Sequence, residues 1–155
     1  MNNEELIGMA KKARQSAYAP YSNFKVGAAL LTKSGNIYKG CNVENASYGL
    51  TVCAERVAIS NALSNGEKEF VKIAIVGGFA EEYMEKMKKE VKQNIDKENI
   101  YKTEKNKKES FLIPCGACLQ VMSEFNPDLE LILLNTTGEI KTINLKELFP
   151  KPFQL

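Results

Sequence analysis

Two short segments hold the residues best able to do chemistry. Cys53-Ala54-Glu55 and Pro114-Cys115-Gly116-Ala117-Cys118 supply three thiols and one carboxylate, in a chain with no histidine. Three thiolates can hold Zn²⁺ and leave a fourth coordination position open for water. A carboxylate two residues from one ligand can move that water's proton, which suits hydrolysis better than a closed structural site. Taken alone, Cys115-x-x-Cys118 also reads as a redox pair or as half of a structural zinc site. Cys53 and Glu55 tip the reading toward an open metal centre. The fourth cysteine, Cys41, falls in a predicted strand and reads as a small buried residue, not a ligand.

The elements that must position these groups follow from periodicity. Asn3 is expected to cap a first helix, with Glu4 and Glu5 in its first turn. Leu6, Met9, Ala10, Ala13 and Ala17 then recur at helical spacing. Lys25 to Leu31 reads as a strand, Lys33-Ser34-Gly35-Asn36 as a turn, and Ile37 to Cys41 as the returning strand of a hairpin. A helix runs from Cys53 to about Leu63 and stops at Asn65-Gly66. Val71 to Val76 is a short strand leading into Gly77-Gly78. A further helix begins near Cys115 and ends before Pro127. Leu129 to Leu134 is another strand, Thr136 to Glu139 a turn, and Leu145 to Leu148 a short final helix. This α-β-β-α-β-α-β order implies an α/β protein with a mixed sheet covered by helices. Both cysteine segments come just before helices, where the helix dipole favours thiolate over thiol.

The 155 residues suffice for one domain with one core. A net charge of +2, with lysines interleaved among acids, argues against a nucleic-acid partner, which selects a basic patch or stripe. No apolar run approaches the about 18–20 residues of a membrane span. The Met-Asn-Asn-Glu-Glu start lacks the basic-then-apolar order of a secretory signal, so the cytoplasm is the expected compartment. In that reducing setting, metal binding or catalysis explains the cysteines better than disulfides. Residues 80–110 stand apart, with nine lysines and eight acids. They read as a solvated, partly helical or disordered insertion in a single domain spanning 1–155. Met84, Met87, Val91 and Ile95 give a weak stripe at helical spacing. Because the stretch leads into Cys115, a lid or partner-binding element is the sharper alternative.

The zinc deaminases carry a (His or Cys)-x-Glu segment followed by Pro-Cys-x-x-Cys, and this chain matches each of those positions. Ala19-Pro20-Tyr21-Ser22-Asn23-Phe24-Lys25-Val26-Gly27-Ala28-Ala29-Leu30, Gly40-Cys41-Asn42-Val43-Glu44-Asn45-Ala46-Ser47-Tyr48 and Cys53-Ala54-Glu55-Arg56 resemble the signatures of the small homotetrameric cytidine deaminases. The resemblance spans about residues 3–78 and 112–153. It implies a three-layer α/β/α fold, one Zn²⁺ per subunit on Cys53, Cys115 and Cys118, and Glu55 as the proton carrier. Three thiolates leave the metal centre with a formal negative charge, which Arg56 and two helix N-termini would offset. By position, Asn42 and Glu44 match the pair that binds the ribose hydroxyls, and Phe24 the residue against the pyrimidine. Ala54 joins the substrate-binding positions. Ala46 and Tyr48 match a segment reaching the ribose from another subunit, and Phe153 an aromatic that closes a neighbour's pocket.

Two departures stand out. Members usually carry Arg after the second cysteine of Cys-x-x-Cys, where this chain has Leu119 followed by Gln120. The 62 positions from Cys53 to Cys115 exceed what the resemblance implies, because of the insertion. The expected activity is hydrolytic deamination of cytidine and 2′-deoxycytidine in pyrimidine salvage. The alternatives are a same-fold deaminase of a nucleoside antibiotic such as blasticidin S, or a non-catalytic zinc protein that binds nucleosides.

Overall fold

The computed structural model describes residues 1–94 and 111–155. Its elements are α1 (Asn3–Gln15), β1 (Phe24–Thr32), β2 (Ile37–Cys41), a single 3₁₀ turn at Tyr48–Leu50, α2 (Ala54–Ser64), β3 (Phe70–Phe79), α3 (Glu81–Asn94), α4 (Gly116–Phe125), β4 (Glu130–Leu134), β5 (Ile140–Asn144) and α5 (Leu145–Leu148). Among the described residues the sheet has the order β2-β1-β3-β4-β5. β3 and β4 run parallel, and the other neighbours are antiparallel. A parallel pair needs a crossover, and α4 lies in the one that returns the chain from β3 to β4.

Strand alternation sorts the side chains into two cores. Ala29, Ala74, Val76 and Ile132 meet Leu6, Ile7 and Ala10 of α1 on one face. Ala28, Leu30, Ile73, Ile75, Leu131 and Leu133 meet α2, α4 and α5 on the other, through Ala58, Ile59, Met122 and Leu145. The central strands are therefore apolar on both faces, and the three-layer α/β/α arrangement implied by the sequence is present. Arg14 ties the α1 layer to the sheet, donating to Lys25 O at 3.0 Å and to Gly78 O and Phe79 O at 2.9 Å.

Several local expectations shift. Asn2, not Asn3, caps α1: its side chain accepts from Glu5 N at 2.8 Å while the Glu5 carboxylate accepts from Asn2 N at 2.9 Å. This reciprocal box selects the position with Glu three residues on. β3 is longer than expected because its glycines continue the ladder, Gly77 and Gly78 pairing with Val26 and Lys25. β5 has no counterpart in the expected element order. It buries only Ile143 well, so its alternation is weak, and it forms because β4 presents a free edge. Asn135 builds the intervening turn, its Oδ1 accepting from Thr137 N, Thr137 Oγ1 and Glu139 N. The first half of the charged stretch is helical, as α3, and Met84 stands exposed on it. Ile95 and the rest of the charged stretch to residue 110 lie outside the described residues.

One close approach fixes the height of α2 above the sheet. A Cβ on Gly40 in β2 would stand 2.3 Å from Ala54 O and 2.4 Å from Ala58 N, both backbone atoms of α2. Gly40→Ala therefore has to push the first turn of α2 outward. The expected cost is about 1–3 kcal/mol of unfolding free energy, read from urea denaturation. An unchanged midpoint would show that α2 can retreat from β2 freely.

Candidate metal centre and nucleoside site

The three thiols arrive from two helix starts. Cys53 is the N-cap residue of α2 and Cys115 that of α4, both with extended backbone. Neither sulfur caps its own helix. Cys118, one turn into α4, is fully buried. Cys53 Sγ lies 3.9 Å from Cys115 Sγ, and Cys115 Sγ lies 3.5 Å from Cys118 Sγ. All three sulfurs lie within 4.8 Å of one another. Tetrahedral zinc with Zn–S bonds of about 2.3 Å spaces its sulfurs by about 3.8 Å, so the cluster has dimensions that suit Zn²⁺. Cys41 is half-buried, stands outside this cluster, and has a thiol pKa pushed up by burial.

Charge is arranged to favour one anion. The Cys118 thiol donates to Cys53, and this outweighs burial. Arg56 assists, Nη2 approaching Cys53 Sγ at 3.7 Å, and the Cys53 pKa is pushed down to about 5. The same Arg56 nitrogen donates to Thr51 O at 3.2 Å, which fixes the guanidinium beside the cluster. Cys118 moves the opposite way: its bond to Cys53, its burial and the Glu55 carboxylate all hold its proton. Glu55, in the first turn of α2, is only 5% exposed. Burial is the main force pushing its pKa up, and the charge of Cys53 adds to it. A buried carboxyl with a raised pKa beside a metal-binding cluster can take and return a proton.

A second group forms where β2 leaves the sheet. Asn42 spans the end of β1, its Oδ1 accepting from Val26 N at 2.8 Å and its Nδ2 donating to Phe24 O at 2.9 Å. The Glu44 carboxylate accepts from Tyr21 N at 2.9 Å, from Ser22 N at 3.2 Å and from Ser22 Oγ. Burial pushes its pKa up, but these three donors outweigh it, and the net shift is downward. Phe24 is half-buried at the start of β1, edge-on to Phe79. The fold thus links Asn42, Glu44 and Phe24 to one another through the chain from Tyr21 to Val26.

The remaining expected positions divide. Ala54 is wholly buried, backbone included, so it presents no open surface to a ligand. Ala46 and Tyr48 are exposed, Tyr48 at 67%, and Phe153 is 70% exposed, so none of the three is packed into the core. Leu119 is buried among the core residues of α4. Two residues with evident positioning roles escaped the sequence reading. Ser22 is the hydroxyl on Glu44 and also accepts from Phe24 N at 3.0 Å. Gln120 clamps the C-terminal tail, donating to Phe153 O and accepting from Phe153 N, each at 3.0 Å. Both lie inside the recognised motifs, but neither type signals its contact in advance.

The family model described as "Cytidine and deoxycytidylate deaminase zinc-binding region" matches residues 1–133. The chain belongs to this deaminase family. It is similar to the cytidine deaminase of Halalkalibacterium halodurans, with 41% identity over 154 residues covering 99% of this chain and 95% of the relative. The crystal structure of cytidine deaminase from Burkholderia pseudomallei superposes with a TM-score of 0.77 at 42% identity, covering 99% of this chain and all of that one. Similarity extends to a blasticidin-S deaminase of Bacillus cereus, at 30% identity over 146 residues covering 94% of this chain and 88% of the relative. A zinc-binding deaminase family and a three-thiolate cluster of zinc dimensions agree on the cofactor.

The metal-free deaminase chain offers a direct check of the charge arrangement. A thiol with a depressed pKa stays ionised, and alkylable, at pH values where ordinary thiols are protonated. Iodoacetamide labelling of Cys53, resolved by mass spectrometry, is expected to fall off only as pH drops through about 5. Arg56→Gln removes a cation that favours the thiolate and moves this midpoint upward. A wild-type midpoint in the ordinary thiol range would mean that Cys118 and Arg56 do not stabilise the anion. Zinc loading protects all three cysteines of the cluster.

Proposed function

We infer that this protein is a zinc-dependent hydrolase converting cytidine and 2′-deoxycytidine, with water, to uridine and 2′-deoxyuridine plus ammonia. The observation that carries this is Glu55: a buried carboxyl in the first helical turn after a thiolate ligand, in a family of deaminases. Zn²⁺ held by Cys53, Cys115 and Cys118 supplies a Lewis acid that lets water act as a nucleophile near neutral pH. Glu55 accepts the proton that water loses as its oxygen bonds to C4 of the pyrimidine. It passes that proton to ring N3, which would otherwise take up negative charge. It then carries the water's second proton to the exocyclic amine, whose bond to C4 breaks to release ammonia. Burial suits Glu55 to the double task, because a raised pKa eases return of each proton. Arg56 and the two helix N-termini offset the excess negative charge of the thiolates.

The nucleoside assignment rests on what the ribose pair has left to offer. A carboxylate presents about four lone-pair positions, and three donors occupy those of Glu44. Asn42 has used one of its oxygen's two acceptor positions on Val26 and one N–H on Phe24. One acceptor position on each residue and one N–H of Asn42 remain, enough to pair with the donor and acceptor of a sugar hydroxyl. In this reading Phe24 lines the pyrimidine. The exposure of Ala46, Tyr48 and Phe153 supports a role in a neighbouring subunit's pocket, within a homotetramer. The setting is pyrimidine salvage in the cytoplasm, on free nucleosides and not on nucleic acid. Among the described residues, no helix is long and apolar enough to cross a membrane.

The resemblance to a blasticidin-S deaminase supports one rival, a nucleoside antibiotic as substrate. A substrate panel on zinc-loaded protein decides between them. Cytidine and 2′-deoxycytidine are expected to lose their absorbance on conversion. Turnover of blasticidin S with neither nucleoside consumed would give the rival reading. Glu55→Gln is expected to lower kcat/KM roughly 10²–10⁴-fold with zinc content unchanged. Turnover equal to wild type would remove Glu55 from the mechanism. If Asn42 and Glu44 hold the 3′-hydroxyl, 3′-deoxycytidine is disfavoured against 2′-deoxycytidine by a factor on the order of 10⁴ in kcat/KM. Equal use of the two would place that pair elsewhere.

A further inference from the structure

The chemistry above leaves α3 unused, yet its first turn is joined to the strand that starts at Phe24. Phe24 and Phe79 are direct partners across β1 and β3. Their rings meet edge to face, with centroids 5.2 Å apart and planes at 89°. Phe79 packs in turn on Tyr83 of α3, with centroids 5.4 Å apart. Both spacings fall in the favourable range for aromatic pairs. The backbone is pinned at the same place. Ala80 N donates to Asn23 O at 2.8 Å, and Asn23, next to Phe24, holds a left-handed φ of 56°.

The other end of the inserted stretch reaches the same ring. A Cβ on Gly77 would stand 2.4 Å from Leu112 Cδ2 and 3.0 Å from Phe24 Cε1. Leu112 and Phe24 therefore share the hollow that Gly77 leaves, and Leu112 lies three residues before Cys115. Alternation along β1 puts Phe24 on the face of Val26, Ala28 and Leu30, which pack with α2 and α4. Phe24 thus lies on the side of the sheet that carries the thiols. Two segments that flank the inserted stretch hold one ring between them.

We propose that Phe79 and Tyr83, opposed by Leu112, are positioning residues that hold the Phe24 ring as a wall of the nucleoside pocket, so that α3 sets nucleoside affinity. This rests on the pyrimidine-facing reading of Phe24. The rings of Phe79 and Tyr83 touch no reacting atom in this scheme and act only through Phe24. Their loss should raise KM and spare kcat.

The test labels the zinc-loaded protein with 4-fluorophenylalanine and assigns the residue-24 resonance by its loss in Phe24→Leu. Tyr83→Ala is expected to shift that resonance and to raise KM for cytidine roughly 2–10-fold, with kcat held within about twofold. Tyr83→Phe, which keeps the ring, is expected to return both to wild-type values. A folded Tyr83→Ala protein with resonance and KM unmoved would overturn the proposal, as would Tyr83→Phe acting like Tyr83→Ala. A shifted resonance with unchanged KM would overturn the wall role. If wild type consumes no cytidine, the substrate reading falls, and the fluorine shift alone decides whether the ring ladder positions Phe24.

Discussion

Three sulfur atoms held within 4.8 Å of one another form the constraint around which this molecule is arranged. Thiolates so close repel, and no histidine is present to replace one with a neutral ligand. The fold answers with positive ends. Cys53 and Cys115 each stand at the N-terminus of a helix, the positive end of its dipole, and Arg56 lies against Cys53. Without metal, the group still sorts itself into one favoured thiolate at Cys53 and one tightly held proton at Cys118. With Zn²⁺, the same features moderate an electron-rich metal. Bringing two helix starts to one place needs the crossover between the parallel strands β3 and β4, together with the close seat of α2 on Gly40.

Asn42 and Glu44 show how candidate binding groups can also hold the fold together. Glu44 is buried and gathers the backbone of Tyr21 and Ser22, which shapes the turn before β1. Asn42 bridges two backbone groups of β1 in the manner of a short strand. Each polar group is largely satisfied by the protein, so neither carries the cost of an empty buried partner. What remains uncommitted is small and directional.

The tail obeys the same economy. Gln120 follows Leu119 on α4, two residues from Cys118, and makes a peptide-like pair with Phe153. The helix that presents two metal ligands also fixes where the exposed C-terminal aromatic stands. Leu119 turns inward to the core, and Arg56 is a cation that touches the cluster.

Much of this was legible in the chain. Motif and spacing together single out the candidate ligands, because three cysteines and a glutamate in two short segments match the zinc-deaminase pattern. Helix starts at Cys53 and Cys115, the hairpin and the central strands follow from apolar periodicity. β5 was not legible, since a strand with one well-buried side chain is created by its neighbour's edge and not by its own pattern. Nor were Ser22, Gln120 and the Phe24–Phe79–Tyr83 ladder, whose contacts join residues through strand pairing, helix placement and tail docking. The amino-acid sequence by itself determined which atoms could do the chemistry and that they belong to deaminases. Tertiary structure decided which of them share charge, protons and packing, because distances between residues far apart in the chain exist only once the sheet is assembled.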